Sequence, residues 1–332
     1  MTYGRRSLAW AVFALAVCVS FALLTGGCED KVTNGNGGDE PVTLLIDSAP
    51  DATIERPSWI DDNTIIFSWD QGTPNSQLWT MSLRGSQPLR FIGDNPREYL
   101  SPAYSAGLNI VAYQILDNPA NPSEGYNIDA SFRSDPSRRT RLAAWAQSGS
   151  ATFPTWGPDG LTLGYMVTIN KTAYFVMQGV KTEGGIIQRD GDPVAVNLGQ
   201  GVQASRVAWH GATNRVAYNR VPPSAETGTT IYYYDLETSA EVQLTDKDTE
   251  DGSDDMNPSW SPSGNYVVYS SRHSVDFRHE LYVVSVGTKA VSRITTTGAD
   301  EQDPAWSPDG SRIAYVSNGD LYVLLVDPAL LP

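Results

Sequence analysis

Cysteine is nearly missing from this 332-residue sequence: Cys18 and Cys28 are the only two, and both stand ahead of Glu29. That placement excludes a disulfide scaffold, a multi-cysteine zinc site and a cysteine nucleophile in the body of the chain. Histidine is as scarce, with 3 residues, which leaves little material for histidine-centred catalysis. Positive charge is short as well, because 23 lysines and arginines face 38 acids and the formal net charge is −15. Such an acidic balance argues against generic binding to nucleic acid or anionic lipid, where basic patches supply the affinity. No G-x-S-x-G elbow, phosphate-cradling glycine loop or H-E-x-x-H motif occurs. What is present is a 40% hydrophobic chain, long enough to bury a sizeable core.

The amino terminus reads as an address. Arg5 and Arg6 precede an uncharged apolar run from Leu8 to Leu24, short for a membrane span and suited to a secretory signal. It ends in Leu24-Thr25-Gly26-Gly27-Cys28, which resembles a bacterial lipobox with Leu24 one place early. Residues 1–27 are therefore expected to be removed and Cys28 to carry a lipid. Residues 28–41, rich in glycine, asparagine and acids without apolar periodicity, are expected to be a flexible tether to a domain spanning 42–332.

That domain is a repeat. Trp59, Tyr104, Trp156, Trp209, Trp260 and Trp306 follow one another at intervals of 45, 52, 53, 51 and 46 residues. A second aromatic (Phe67, Tyr113, Tyr165, Tyr218, Tyr269, Tyr315) follows each after 8 residues in the first case and 9 in the others. Between them lies a turn, fullest in Ser307-Pro308-Asp309-Gly310, where proline presets φ and glycine takes the positive φ that closes a hairpin. Alternating runs such as 312–316, 321–326 and 291–295 supply further strands. Four short strands at this period describe a β-propeller blade, so the expected fold is all-β, a six-bladed propeller of four-stranded antiparallel blades. The sixth repeat has no room for a fourth strand, whereas Val42–Ile46 stands before the first repeat without a blade. Closure of the last blade by this amino-terminal strand follows, since it removes two open sheet edges. The six spaced aromatics are expected to wedge between blades rather than to stack on sugars or bases. Trp69, Trp79 and Trp145 lie off the repeated positions, and their role stays open.

The pattern P-x-W-S-P-D-G-x-x-I-x-Y at Pro304–Tyr315, with copies at Pro258–Tyr269 and Pro154–Tyr165, resembles the WD-like repeat of TolB-type propellers. The resemblance implies the fold and, for function, a periplasmic platform that contacts a peptidoglycan-associated lipoprotein. It also departs from that type, which carries an α/β domain ahead of the propeller and is soluble rather than lipidated.

In a propeller, the inter-blade loops and those joining second to third strands share one face, where binding usually occurs. Arg97, Arg206, Arg220, Arg272, His273, Arg278 and His279 map there as candidate contacts for an acidic partner or carboxylate. Asp246, Asp248 and Glu250 lie in an acid-rich loop that offers oxygen ligands for Ca²⁺, although the glycine falls one place late for an EF-hand. A solvated turn is the simpler reading of that loop, and no other cofactor is expected. The functional expectation is a monomeric, non-enzymatic lipoprotein of the bacterial cell envelope, on the periplasmic side or outer surface. It would bind envelope proteins or peptides and no nucleic acid. A carbohydrate-binding or carbohydrate-cleaving propeller is the alternative, and a ligand-binding sensor module a third reading.

Overall fold

A computed structural model describes residues 29–33 and 39–332, apart from 86, 95, 145–148, 204, 224–227, 247–253 and 273–277. The signal segment, Cys28, Trp145, Asp248, Glu250 and His273 lie outside the described residues.

The described residues form six antiparallel sheets, five of four strands and one of five. Their first strands are Ile54–Asp61, Glu98–Ser105, Ala151–Trp156, Ala208–His210, Asp255–Trp260 and Glu301–Trp306, one per repeat, defining blades 1 to 6. The chain is thus an all-β six-bladed propeller, closed as the sequence suggests. Asp39–Ile46 supplies the fourth strand of blade 6, with Val42 opposite Leu324 and Thr43 opposite Val323. Glu29–Thr33 pairs outside it as a fifth strand. Part of the segment expected to be a tether therefore extends the ladder, covering an edge that would otherwise expose unpaired backbone groups.

Second strands lie between neighbouring blades on both faces, which is why they read as continuous apolar runs rather than alternating ones. All seven residues of Ile110–Leu116 are buried. Fourth strands form the outer rim and are the opposite, as in the exposed Leu89 and Val291. The core is accordingly not one mass but six clusters, each drawn from two successive blades. The closing seam joins Ile46, Trp59 and Phe67 to Ala305 and Val316.

Each repeated aromatic packs at the seam with the blade before it, and polar bonds fix the five tryptophans there in two modes. The indole N–H of Trp59, Trp156 and Trp260 donates to the carbonyls of Ala305, Ala103 and Ala208 at 2.9, 3.1 and 3.1 Å. At the seams between, a hydroxyl replaces the alanine. Thr155 Oγ1 accepts from the Trp209 backbone N–H at 3.2 Å, and Ser259 Oγ from that of Trp306 at 3.0 Å. The indoles of Trp209 and Trp306 then bond within their own hairpins, to Asn214 and Gly310.

Truncating Trp260 to alanine removes both an apolar wedge and a cross-blade bond, and is expected to lower unfolding free energy by about 3–5 kcal/mol in denaturant titration. Deleting residues 42–46 is expected to lower the melting temperature sharply by reopening blade 6. Melting unchanged from the full chain would contradict closure by that strand.

Candidate functional site

The site is built from the residue that precedes the proline of each P-x-W segment. Arg56, Ser101, Phe153, Asn257 and Asp303 all have φ between 50 and 55°. A left-handed backbone is rare for such residues, and a following proline disfavours the right-handed helical region but permits this kink. At each the register of first and second strands slips, as between Glu55 and Ser58 or between Gln302 and Ala305. These are β-bulges, and bulges re-aim side chains. In alternate blades the freed N–H is taken by a side chain from the blade before: Arg56 N donates to Asp303 Oδ2 at 2.9 Å, Phe153 N to Gln114 Oε1 at 2.9 Å and Asn257 N to Ser205 Oγ at 3.1 Å.

Blade 4 departs from the pattern. Val207 replaces the proline, the ladder has no slip, and the equivalent residue, Arg206, does not share the positive φ. Its side chain crosses the central channel. Nη1 and Nη2 donate to the carbonyls of Pro304 and Pro57 at 3.0 and 2.9 Å, on the opposite side of the ring. Burial pushes this guanidinium below its ordinary pKa, Asp303 opposes that and Arg56 adds to it. Arg56 donates to Ser101 Oγ at 2.9 Å and lies over the Phe153 ring at 5.3 Å. The two arginines close the channel.

Of the other cations expected on the loop face, the described ones, Arg97, Arg220, Arg272, Arg278 and His279, are each already engaged with different partners. Arg97 bonds Asp94 and Asp117 at 2.6 and 3.2 Å. Asp117 also holds Arg141 at 2.7 Å; burial works to raise its carboxyl, yet the two arginines hold it below the ordinary range. Arg220 pairs with Glu241 at 2.5 Å and lies over Tyr232. Arg272 meets Asp254 at 3.1 Å, and Arg278 donates to the Gly298 carbonyl. His279 Nδ1 stands 2.8 Å from Asp300 Oδ1, whose Oδ2 accepts from Gln302 at 2.6 Å. His210, at the opposite end of the ring, bonds Thr213 and faces the Pro262 carbonyl, a structural post between blades 4 and 5. Trp69 and Trp79 pack edge to face at 5.3 Å against the closing seam.

Two buried acids begin the first strands of blades 5 and 6. Asp255 accepts from Thr245 Oγ1 and Ser271 Oγ, both at 2.5 Å. Thr245 Oγ1 in turn accepts from Ile231 N at 2.9 Å, and Thr295 Oγ1 repeats this with Leu281 N at 2.8 Å. Glu301 takes the second position, accepting from Thr297 at 2.6 Å, while Glu280 pairs with Arg293 at 2.5 Å. The remaining oxygens, Glu280 Oε2 and Glu301 Oε2, are both buried without a donor. Burial pushes the Glu301 carboxyl up to about 8, its threonine bonds oppose that, and the adjacent Glu280 adds to it. That direction favours a proton held on this acid pair. Nearer the axis, Glu55, Asp300 and Asp303 border an open pocket of about 290 Å³ with Thr53, Gln302 and Asn318.

The missed residues are thus the pre-proline ring and Arg206's true partners. The signal was the constant place before P-x-W, which a pattern search treats as a spacer. Of the candidate Ca²⁺ ligands only Asp246 is described; it is exposed. Among the described residues no group of three or more histidines, cysteines or acids is placed to hold a metal ion. Nor is any described helix long and apolar enough to cross a membrane.

Comparison with known proteins supports the fold from several directions. The family "Dipeptidyl peptidase IV (DPP IV) N-terminal region" matches residues 270–328. No curated protein sequence matches the chain. Among solved structures, TolB from Acinetobacter baumannii is similar at 16% identity and a TM-score of 0.54, over 83% of this chain and 63% of that one. The chain therefore spans less than two thirds of that TolB. Oligogalacturonate lyase from Vibrio parahaemolyticus is similar at 11% identity and a TM-score of 0.58, over 91% and 97% of the two chains. The tricorn protease is similar at 15% identity and a TM-score of 0.58, over 84% of this chain and 25% of that one. At these identities the likeness is one of fold.

The acid pair between blades 5 and 6 gives a signed pH dependence. Because the Glu301 carboxyl is raised in the folded state, the native protein binds the extra proton between the ordinary 4.5 and about 8. Its contribution to stability is full below that window and is lost as pH rises through it. Glu301→Gln is expected to flatten the fall in melting temperature between pH 5 and 8.5. An equally steep fall in the variant would assign the effect to other groups.

Proposed function

We propose that the chain is a non-catalytic, lipid-anchored protein of the bacterial cell envelope whose loop face docks protein or peptide partners, including peptidoglycan-associated ones. The observation that carries this reading is the Arg206 bridge to blades 1 and 6. It turns the funnel into a floored surface rather than a pore, and a broad face of loops on a rigid ring suits macromolecular docking. The charges of that face support it: arginines and acids are interspersed, which favours specific and salt-sensitive recognition over capture by one sign of field. The similarity to TolB is in keeping with this role. The amino-terminal apolar run and Cys28 supply the envelope address.

The alternative, a glycan-cleaving propeller, requires a close acid pair open to a sugar. Among the described residues the adjacent acids Glu280 and Glu301 are 3% and 0% exposed, and Asp117 and Asp129 are both held by Arg141. The open pocket with Glu55 and Asp303 has no aromatic lining on which a sugar ring could stack.

In crosslinking from envelope fractions with the tagged full chain, specific protein partners are expected, and their recovery should drop at least tenfold in an Arg272→Glu/Arg278→Glu double variant. In parallel, incubation with oligogalacturonate should give no unsaturated product by ultraviolet absorbance. Turnover that vanishes in Glu55→Gln would overturn the non-catalytic reading.

A further inference from the structure

The floor of the loop face is also the roof of a cavity. About 300 Å³ of space runs along the axis beneath Arg56 and Arg206 toward the turns that join first and second strands. First strands of all six blades line it, and its far end is framed by Ser261, Pro262, Ser307 and Pro308. Of the described loop-face candidates, Arg206 alone borders it. Its position is therefore opposite to the surface proposed for partners.

The cavity lining holds Arg56 and Arg206 at its roof and no aspartate or glutamate. Neither Arg56 nor Arg206 has an ion-pair partner among the described residues, although the chain as a whole is strongly acidic. The carboxylates nearest in effect, Asp303 and Glu55, border the pocket on the loop side and not this cavity. A guanidinium has five N–H donors. Arg206 uses two groups on backbone carbonyls and Arg56 one on Ser101, and both residues line the cavity. Both guanidiniums are partly buried, and the acids acting on them, Asp303 and Glu55, stand on the loop side, so an anion on the cavity side would meet cations and no carboxylate. A planar fork of donors matches the two oxygens of a carboxylate, whose single charge suits indole walls and neutral hydroxyls better than a phosphate dianion does. The walls below are mixed: the indoles of Trp59, Trp209, Trp260 and Trp306 and the hydroxyls of Ser58, Thr155 and Ser259. That lining suits a small apolar or hydroxylated body behind the charged head, in a volume at the lower end of small-molecule pockets.

We infer that the axial cavity is a binding site for a small carboxylic acid, which enters from the turn side and seats its carboxylate against Arg56 and Arg206. The site is independent of the docking face and needs no partner there.

The test uses the full chain at constant ionic strength with acetate, succinate and benzoate as probes, and benzamide as the uncharged counterpart of benzoate. Thermal shift and the chain's intrinsic tryptophan emission are read together. At least one acid is expected to raise the melting temperature and alter emission in a saturable way, whereas benzamide does neither. Arg206→Met removes a structural bridge and is expected to melt lower. Arg56→Met, which leaves that bridge intact, is expected to fold and to weaken acid binding at least tenfold. No saturable response to any of the three acids, an equal response to benzoate and benzamide, or unchanged affinity in Arg56→Met would each overturn the site. Loss of partner capture would bear only on the loop face, so the two readings fail separately.

Discussion

The contact between the first strands of successive blades is the constraint on which the structure rests. A four-stranded sheet has two apolar faces and cannot bury both alone, so each blade depends on a neighbour at either side. Packing supplies most of the stabilisation but little direction. Direction comes from the polar bonds of the central residue in P-x-W, which alternates Ser58, Ala103, Thr155, Ala208, Ser259, Ala305 around the ring. Where it is alanine, the next indole reaches its carbonyl; where it is Thr155 or Ser259, its hydroxyl takes the next backbone N–H. Two alternating modes close without conflict only in an even ring. The seam between blades 1 and 2 departs, with Tyr104 in place of tryptophan. There Arg133 from blade 2 reaches Asp61 of blade 1 at 3.2 Å and covers the Tyr104 ring.

The same alternation governs the bulges. Three of the freed N–H groups, at Arg56, Phe153 and Asn257, are answered from the blade before by Asp303, Gln114 and Ser205. A strained φ at these positions persists because a proline on one side and a neighbouring acceptor on the other determine it together. Bulge and seam are thus one device. It holds adjacent blades in register at three of the seams.

Much of this fold is legible in the sequence because its causes are periodic. Tryptophans near every fiftieth position, a second aromatic after nine, and an unpaired Val42–Ile46 strand suffice to count and close the blades. The extended hairpin of blade 3, Thr172–Glu183 with Ile186–Gln200, is not of this kind, since its length follows no repeat. The site was less legible for a different reason. Arginines were chosen by loop position, but what engages them lies at no fixed spacing: Glu241 is 21 residues from Arg220, and Pro57 is 149 from Arg206. The pre-proline residues were visible as letters but not as a ring, because residues before proline ordinarily prefer extended backbone and Arg or Phe rarely turns left-handed.

Blade 4 shows how one departure from the repeat can divide the molecule. With Val207 in place of proline the bulge is lost, and the first strand shortens to Ala208–His210. Without the left-handed kink, Arg206 is free to extend across the axis instead of lying along its own blade. A residue of shorter reach at this position would leave the carbonyls of Pro57 and Pro304 without these donors and the channel open end to end. The bridge therefore does two things at once: it ties blade 4 to the opposite side of the ring, and it separates the mixed-charge loop face from the axial cavity. Chemistry on the two sides can then be selected independently, because a rigid partition of backbone carbonyls and guanidinium lies between them.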